Sequence, residues 1–423
     1  SAASGPLGRF SILFRAGSEY LSLDADGGLQ GPGNGDTFLD RLKSWYLQQA
    51  APDAVPSALP FSGGWFIYLG YELAGEIEPV LDLPPPPGAL PVALAVRCEA
   101  AIIIEHGETE TAWLVAETPG LLEEMQDDLE RCNASSRVGE MHVGRVSVDP
   151  DDDFTDAVHR VQEYLAGGDV FQVNLSRQWQ GEFDEAVSDI DVYRRLRHSN
   201  PAPFAGLMKW QGSSLMSSSP ERLVEIRGRL VQARPIAGTY PRGKDEASDK
   251  AARQDMLAHP KERAEHIMLI DLERNDLGRV CVPGSVEVNE LMVVESYAHV
   301  HHIVSNVMGN LRDDATPADV IRAVFPGGTI TGCPKVRCMQ IIAELERQGR
   351  GFYTGSMGYI SRDGQMDINI LIRSMLLEGQ GVSLRTGAGI VIDSKARREL
   401  AETRAKAKGL LVALQGEEVN THE

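Results

Sequence analysis

Two short acidic patterns stand far apart in the second half of the chain. Glu262 and Glu265 lie in PKERAEH, and Glu399 and Glu402 lie in RRELAETRAK, with Lys406 one helical turn further on. Carboxylates three residues apart on a helix share a face and repel one another unless a cation sits between them. Oxygen-only ligands at that spacing suit a hard ion such as Mg²⁺. A single pair of this kind is usually a solvated acidic face, here with Lys261 and Arg263 beside it. Its recurrence shifts the balance, because two such helices facing each other would bring four carboxylates to one ion.

The first pattern belongs to HPKERAEHIMLIDLERNDLGRV, His259 to Val280. Pro260 occupies the place of a first helical residue and Gly278 that of a C-terminal stop, so the stretch is expected to be a helix. Ala264, Ile267, Met268 and Leu272 recur at apolar helix spacing, while Glu262, Glu265 and His266 share another face, expected to be the chemical one. FTDAVHRVQEYLAGGD predicts an amphipathic helix with Val158, Val161 and Leu165 inward. VFQVNLSRQW alternates, with Phe171, Val173 and Leu175 on one face and Gln172, Asn174 and Ser176 on the other. That polar face either lines a cleft or meets solvent. In GGWFIYLGYEL, Trp65, Ile67 and Leu69 predict a strand with one buried face, and Gly63, Gly64 and Gly70 let backbones pass closely.

VESYAHVHHIVSNVMGNL reads as a strand bearing His299, His301 and His302, without zinc spacing. FPGGTITGCPK joins a glycine-rich loop to a helix, lacks the GK[ST] of a nucleotide loop, and leaves a helix N-terminus able to meet an anion. The stretch from Gly351 to Ser394 reads as three strands with a turn at Arg362–Gly364. Helices fall irregularly among many strands, which predicts an α+β fold rather than repeated βαβ units.

The 423 residues suffice for two or three domains or one large intertwined one. The polar stretch after Cys132 marks the main internal boundary, dividing an N-terminal region (1–135) from a catalytic region (150–414) and a short tail (415–423). A net charge of -20 without a basic run argues against nucleic-acid or anionic-membrane partners. Five scattered cysteines give no disulfide framework or zinc pattern and fit a reducing cytoplasm. The longest apolar stretch, PVALAVRCEAAIII, is broken by Arg97 and Glu99, so no membrane span is expected.

SPER, RPIAGT, PKERAEH with DLERNDLGRV, GGTITGCPK, FYTG, RTGAGI and the terminal ExxExxxK, in this order and spacing, resemble the chorismate-utilising enzymes. The likeness is dense from Asp153 to Leu414, and FSGGWFIYLGYE extends it toward the N-terminus. It implies a large α+β fold in which two antiparallel sheets enclose the active site beneath outer helices, together with Mg²⁺ and chorismate. It also implies Glu265 and Glu402 as direct metal ligands, with Glu262 and Glu399 assisting. Tyr353, Arg373, Lys406 and the backbone of Gly387, Ala388 and Gly389 match groups that hold the enolpyruvyl carboxylate. Arginine suits that task because its fork binds a carboxylate bidentately. Glu221 matches the acid that protonates the departing C4 hydroxyl, which requires a carboxyl with a raised pKa. His302 and Thr239 would line the ring, and Gly238 and Thr329 are carried over with their motifs as substrate contacts.

Members that add water at C2 place a lysine base where this chain has Gln172, which cannot take a proton from water. The resemblance therefore implies ammonia as nucleophile and a glutamine amidotransferase partner, since no amidotransferase nucleophile motif is present. Aminodeoxychorismate synthases mostly carry PIKGT, whose lysine attacks C2, whereas Ala237 here matches the PIAGT of anthranilate synthases. The loop points the other way: anthranilate synthases usually read PAGTxSGAPK and aminodeoxychorismate synthases PGG[ST]ITG, and Gly328 and Thr331 match the second. No LLES-type regulatory element stands between Phe14 and Leu21. Loop and missing element outweigh one alanine, so the expectation is an aminodeoxychorismate synthase large component, with anthranilate synthase as the alternative. A noncatalytic chorismate-binding subunit would be expected to have lost metal carboxylates, and all four are present.

Overall fold

The computed structural model describes every residue except 1–5, 52–57, 133–142, 145, 243–244, 246–247, 251–252, 255, 257–259, 297–299 and 416–423. Its strands form two antiparallel sheets. The larger runs β12 (Ile236–Pro241), β14 (Val300–Asn310), β11 (Leu230–Ala233), β10 (Arg222–Arg227), β17 (Met366–Asn369), β16 (Ser356–Ser361), β3 (Gly64–Leu69), β4 (Ala93–Glu105), β1 (Phe10–Leu23) and β2 (Leu29–Gln30). β13 (Glu287–Ser296) adds to β14, and β5 (Thr111–Ala116) to β4. The smaller runs β15 (Gly332–Cys333), β7 (Gln172–Glu182), β19 (Gly381–Ile390), β18 (Ser374–Glu378), β9 (Ser213–Ser219) and β8 (Phe204–Trp210), with β6 (Ser147–Val148) on β7.

The helices are α1 (Phe38–Gln49), α2 (Ala74–Ile77), α3 (Pro119–Arg131), α4 (Asp151–Ala166), α5 (Asp189–Ser199), α6 (Pro260–Gly278), α7 (Pro317–Val324), α8 (Lys335–Glu346) and α9 (Ala396–Gln415). Several begin where a side chain satisfies the free N–H groups of the first turn. Thr37 accepts from Asp40 N at α1, Thr118 from Leu121 N at α3, and Thr316 with Asp319 forms a capping box at α7.

Tyr68, Leu94 and Val96 of the large sheet pack with Met208, Leu215 and Leu376 of the small one, so the two sheets face each other. The outer face of the small sheet carries Val173, Leu175, Ala388 and Ile390 against Val158 and Val161 of α4, Ile341 of α8 and Leu400 of α9. The outer face of the large sheet packs on α1, α6 and α7. This is the expected α+β architecture. The N-terminal and catalytic regions share one sheet, because β3 pairs with β16 over Leu69–Ser356 to Gly64–Ser361. Much of the stretch placed between those regions lies outside the described residues.

Four local expectations change. The α6 helix spans the expected residues, but its core face is inverted: His266, Leu269, Ile270, Glu273, Asp276 and Leu277 are buried, whereas Ala264 and Ile267 are exposed. The polar members of that inner face find partners, His266 with Ser305 at 2.6 Å and Asp276 with Lys335 at 2.6 Å, so apolar spacing alone does not reveal it. β3 is buried on both sides, since Phe66 and Tyr68 face the second sheet. The histidine-bearing segment is a pair of strands, β13 and β14, with His299 outside the described residues. The C-terminal strands number four, β16 to β19, with the Arg362–Gly364 turn where expected.

Candidate active site

Period-two alternation puts the apolar residues of β7 under the helices and turns Gln172, Asn174 and Ser176 toward the opposite sheet. All three are buried, so this polar face lines a cleft rather than meeting solvent. Across the ladder, Gly389 pairs with Asn174 and Gly387 with Ser176. The two glycines leave room that side chains occupy. A Cβ on Gly389 would stand 2.4 Å from Gln172 Nε2, and one on Gly387 would stand 2.4 Å from the Leu175 carbonyl, 2.7 Å from Tyr353 Oη and 2.8 Å from Asn174 Oδ1. Lys406 reaches over from α9 and donates to the Gly387 carbonyl at 2.9 Å while pairing with Glu402 at 2.8 Å. Gln172, Asn174, Tyr353, Lys406 and the Gly387–Gly389 backbone are thus brought together, with the Ala388 methyl turned to the outer helices.

Glu221 sits at the corner between β9 and β10, 6% exposed, with its backbone N–H on Ser219 and its carbonyl accepting from Ile370. Among the described residues its Oε1 has no hydrogen-bond partner. Burial pushes its carboxyl up to about 7; the Thr329 hydroxyl, the Ile236 backbone and the Lys406 charge pull the other way. A carboxyl so placed holds a proton near neutrality and has an atom free to give it. Thr329 belongs to the Gly328–Ile330 turn, and the neighbouring Thr331 hydroxyl donates to the Gly327 carbonyl at 2.9 Å. Aligned on Gly332, the two loop patterns share Gly328, so the discriminating glycine is Gly327. A Cβ there would lie 2.9 Å from Ile370 Cδ1.

Tyr353 is fully buried and its phenol is pushed up to about 12 by burial, so it stays a neutral hydroxyl. Arg373 has a positive φ of 52°, in the left-handed region that non-glycine residues rarely adopt, and its carbonyl accepts from Ser218 N. Burial works against its charge, and Glu402 favours it. Thr354 also has a positive φ, 62°. Two such residues beside the cleft are a mark of a functional corner held by its surroundings. His302 is buried with Nδ1 3.4 Å from the Gly238 carbonyl, and burial lowers its pKa, keeping the ring neutral. Ala237 and Thr239 stand on β12 opposite Ile303 and His302 of β14; their side chains lie outside the described set.

The two acidic patterns lie on α6 and α9. α6 packs on β12, β14 and α7, and α9 on β19, α4 and α5. Glu399 is buried, Glu402 is held by Lys406, and Glu265 lines the rim of a groove beside α6; the Glu262 side chain is outside the described set. Their carboxylates are an oxygen-only donor set, which suits Mg²⁺. Among the described residues no group of three or more His, Cys, Asp and Glu stands close enough to hold a metal.

A buried ion network beneath the cleft was not foreseen. Glu346 accepts from Ser176 N at 2.8 Å, Ser176 Oγ at 2.9 Å, Arg350 at 2.6 and 3.0 Å and Arg385 at 3.0 Å. Burial opposes its charge, but Arg350 and Arg385 outweigh that and hold the carboxyl below its ordinary range. Arg350 also donates to the carbonyls of Asn174 and Ile330 and to Thr354, and lies over the rings of Tyr71 and Tyr353. It ties β7, the 328–330 turn and the FYTG loop to one cation. The only sequence signal was the Glu346–Arg350 spacing of four at the end of α8.

The described cysteines form no disulfide, and among the described residues no helix is long and apolar enough to cross a membrane. Residues 19–412 match the family of chorismate binding enzymes. An anthranilate synthase component I-like protein of Synechocystis is 43% identical over 86% of this chain and 75% of its own length. Aminodeoxychorismate synthase component 1 of Bacillus subtilis is 41% identical over 85% of this chain and 79% of its own. The crystal structure of anthranilate synthase component I from Streptococcus pneumoniae superposes with a TM-score of 0.84 at 31% identity, covering 96% of this chain and 93% of that one. The family match spans nearly the whole chain and carries the cleft residues with it, so the chain belongs to the chorismate-binding enzymes.

Proposed function

We propose that the chain is the large component of an aminodeoxychorismate synthase. It would join ammonia, supplied by a glutamine amidotransferase partner, to C4 of chorismate and keep the enolpyruvyl group. The observation that supports this most is the loop beside Glu221, where Gly327 occupies a place in which alanine would press on Ile370 and where Thr331 closes the turn.

In this reading Arg373, Tyr353, Lys406 and the Gly387–Gly389 backbone hold the enolpyruvyl carboxylate, and neutral His302 lines the ring. Gln172 offers no base, so the nucleophile must be basic already. Ala237 offers no nucleophile, so ammonia itself adds at C2 while the C4 hydroxyl leaves as water with the proton of Glu221. A second ammonia then bonds to C4 and the first leaves from 2-amino-2-deoxyisochorismate, again with a proton from Glu221. Glu265 and Glu402, assisted by Glu262 and Glu399, would hold Mg²⁺, whose chemistry is to neutralise the ring carboxylate.

A second reading, anthranilate synthase component I, is favoured by Ala237 and by the names of several relatives. Purified chain with chorismate, ammonium and Mg²⁺ at alkaline pH separates the two, with chelation of the metal as control. Stoichiometric anthranilate and pyruvate would refute the first reading. Chorismate consumed without either, giving a product that aminodeoxychorismate lyase converts to p-aminobenzoate, would establish it.

A further inference from the structure

The loop that carries Tyr353 is held by a carboxylate from the N-terminal region. Consecutive backbone N–H groups of Arg350 and Gly351 point at Glu72: Arg350 N donates to Oε1 at 2.7 Å, and Gly351 N is shared between Oε1 at 3.2 Å and Oε2 at 3.1 Å. Gly351 has a φ of 56°, and this left-handed turn brings the two N–H groups to one side, forming a nest for an anion. The Gly351 carbonyl accepts from Tyr71 N at 2.8 Å, and the Arg350 guanidinium lies over the Tyr71 ring, its Cζ 5.1 Å from the ring centre. The polyproline segment closes the other side. A Cβ on Gly349 would stand 2.2 Å from the Pro85 carbonyl, and one on Gly351 would stand 3.1 Å from Pro87 Cδ. Residues 349–351 are thus enclosed by residues 71–72 and 85–87.

Two hydrogen bonds lead from Glu72 to Tyr353. Glu72 fixes the N–H of Arg350, and the carbonyl of Arg350 accepts from Tyr353 N at 3.0 Å. The Arg350 side chain runs the other way, to Glu346 and to the Asn174 and Ile330 carbonyls. That network fixes the guanidinium, while Glu72 fixes the main chain from which Tyr353 rises. Burial pushes the Glu72 carboxyl up to about 7, and the N–H groups of Gly351, Glu72 and Arg350, with the Arg350 charge, pull the other way. At alkaline pH it is a carboxylate, able to accept from both loop donors.

We propose that Glu72 is a positioning residue for chorismate: its carboxylate fills the nest at Arg350 and Gly351 and thereby sets where the Tyr353 hydroxyl meets the enolpyruvyl carboxylate. The inference rests on the reading of Tyr353 as a group that holds that carboxylate. Glu72 acts through the loop backbone, and no bond forms or breaks at it.

Glu72→Gln in the whole chain keeps the side chain's size but turns an amide N–H₂ toward one of the two donors. Chorismate binding, followed by titration calorimetry at alkaline pH with Mg²⁺ and without ammonium, should weaken about tenfold or more, the worth of a hydrogen bond to a charged acceptor. In turnover with ammonium, KM for chorismate should rise by the same factor, while kcat and KM for ammonium stay within about threefold of the unaltered chain. Tyr353→Phe separates positioning from packing: added to that variant, Glu72→Gln should weaken chorismate binding by less than about twofold further. Unchanged binding in Glu72→Gln, the same loss in both backgrounds, or an equal rise in KM for both substrates overturns the inference. If Glu72→Gln does not fold, Glu72→Asp takes its place in the cycle, with its carboxylate one carbon short of the nest; it should bind chorismate about threefold or more weakly, and unchanged binding overturns the inference. Normal binding by Tyr353→Phe alone is a different failure, because it overturns the reading of Tyr353 and the inference falls with it.

Discussion

Replacing Glu221 by glutamine isolates the cost of ionising an acid in this place. The unfolded chain releases that proton near the ordinary value of 4.5, whereas the folded chain holds it to about 7. A raised folded pKa means that the group's contribution to stability is complete below about 4.5 and is lost as pH climbs to about 7. At about 1.4 kcal/mol per pH unit the loss is on the order of 3 kcal/mol. Glutamine has no proton to lose, so the stability of Glu221→Gln relative to the unaltered chain should rise by that amount between pH 4.5 and 7 and then level off. Urea unfolding at half-unit pH steps and constant salt measures the difference, in which titration of Glu72 cancels because both chains retain it. Turnover should fall by about 10²- to 10⁴-fold, the usual worth of a positioned acid. Parallel stability curves for the two chains would refute the reasoning, because they would mean that Glu221 is already ionised in the fold.

Gly387→Ala should destabilise the chain by about 1–3 kcal/mol and abolish chorismate binding, because its Cβ meets the Leu175 carbonyl, which cannot turn aside. Gly389→Ala meets only the Gln172 amide end and should keep its melting temperature while changing the use of ammonia; thermal melts with chorismate titration compare the two. Arg350→Met should cost about 3–5 kcal/mol in urea unfolding, because Glu346 would remain buried and keep only Arg385 as an ion-pair partner among the described residues, and a smaller loss would mean that the network does not anchor the FYTG loop.

The alternation in VFQVNLSRQW and the Pro260 and Gly278 punctuation are short-range patterns, and both were legible: periodicity of two or 3.6 and backbone restriction act within a few residues. The ordered motifs from SPER to RTGAGI likewise declared the family and most of the cleft. What the sequence could not declare was which face of α6 is inside, or that Glu346 is shared by two arginines far apart in the chain. Those are matters of long-range proximity. Burial and neighbouring charge set the pKa of a carboxyl, and neither exists until β10, α6 and the 328–330 turn have packed together. Sequence by itself determined the residue types and local elements; tertiary structure alone decided which acids are buried, and hence which of them hold a proton.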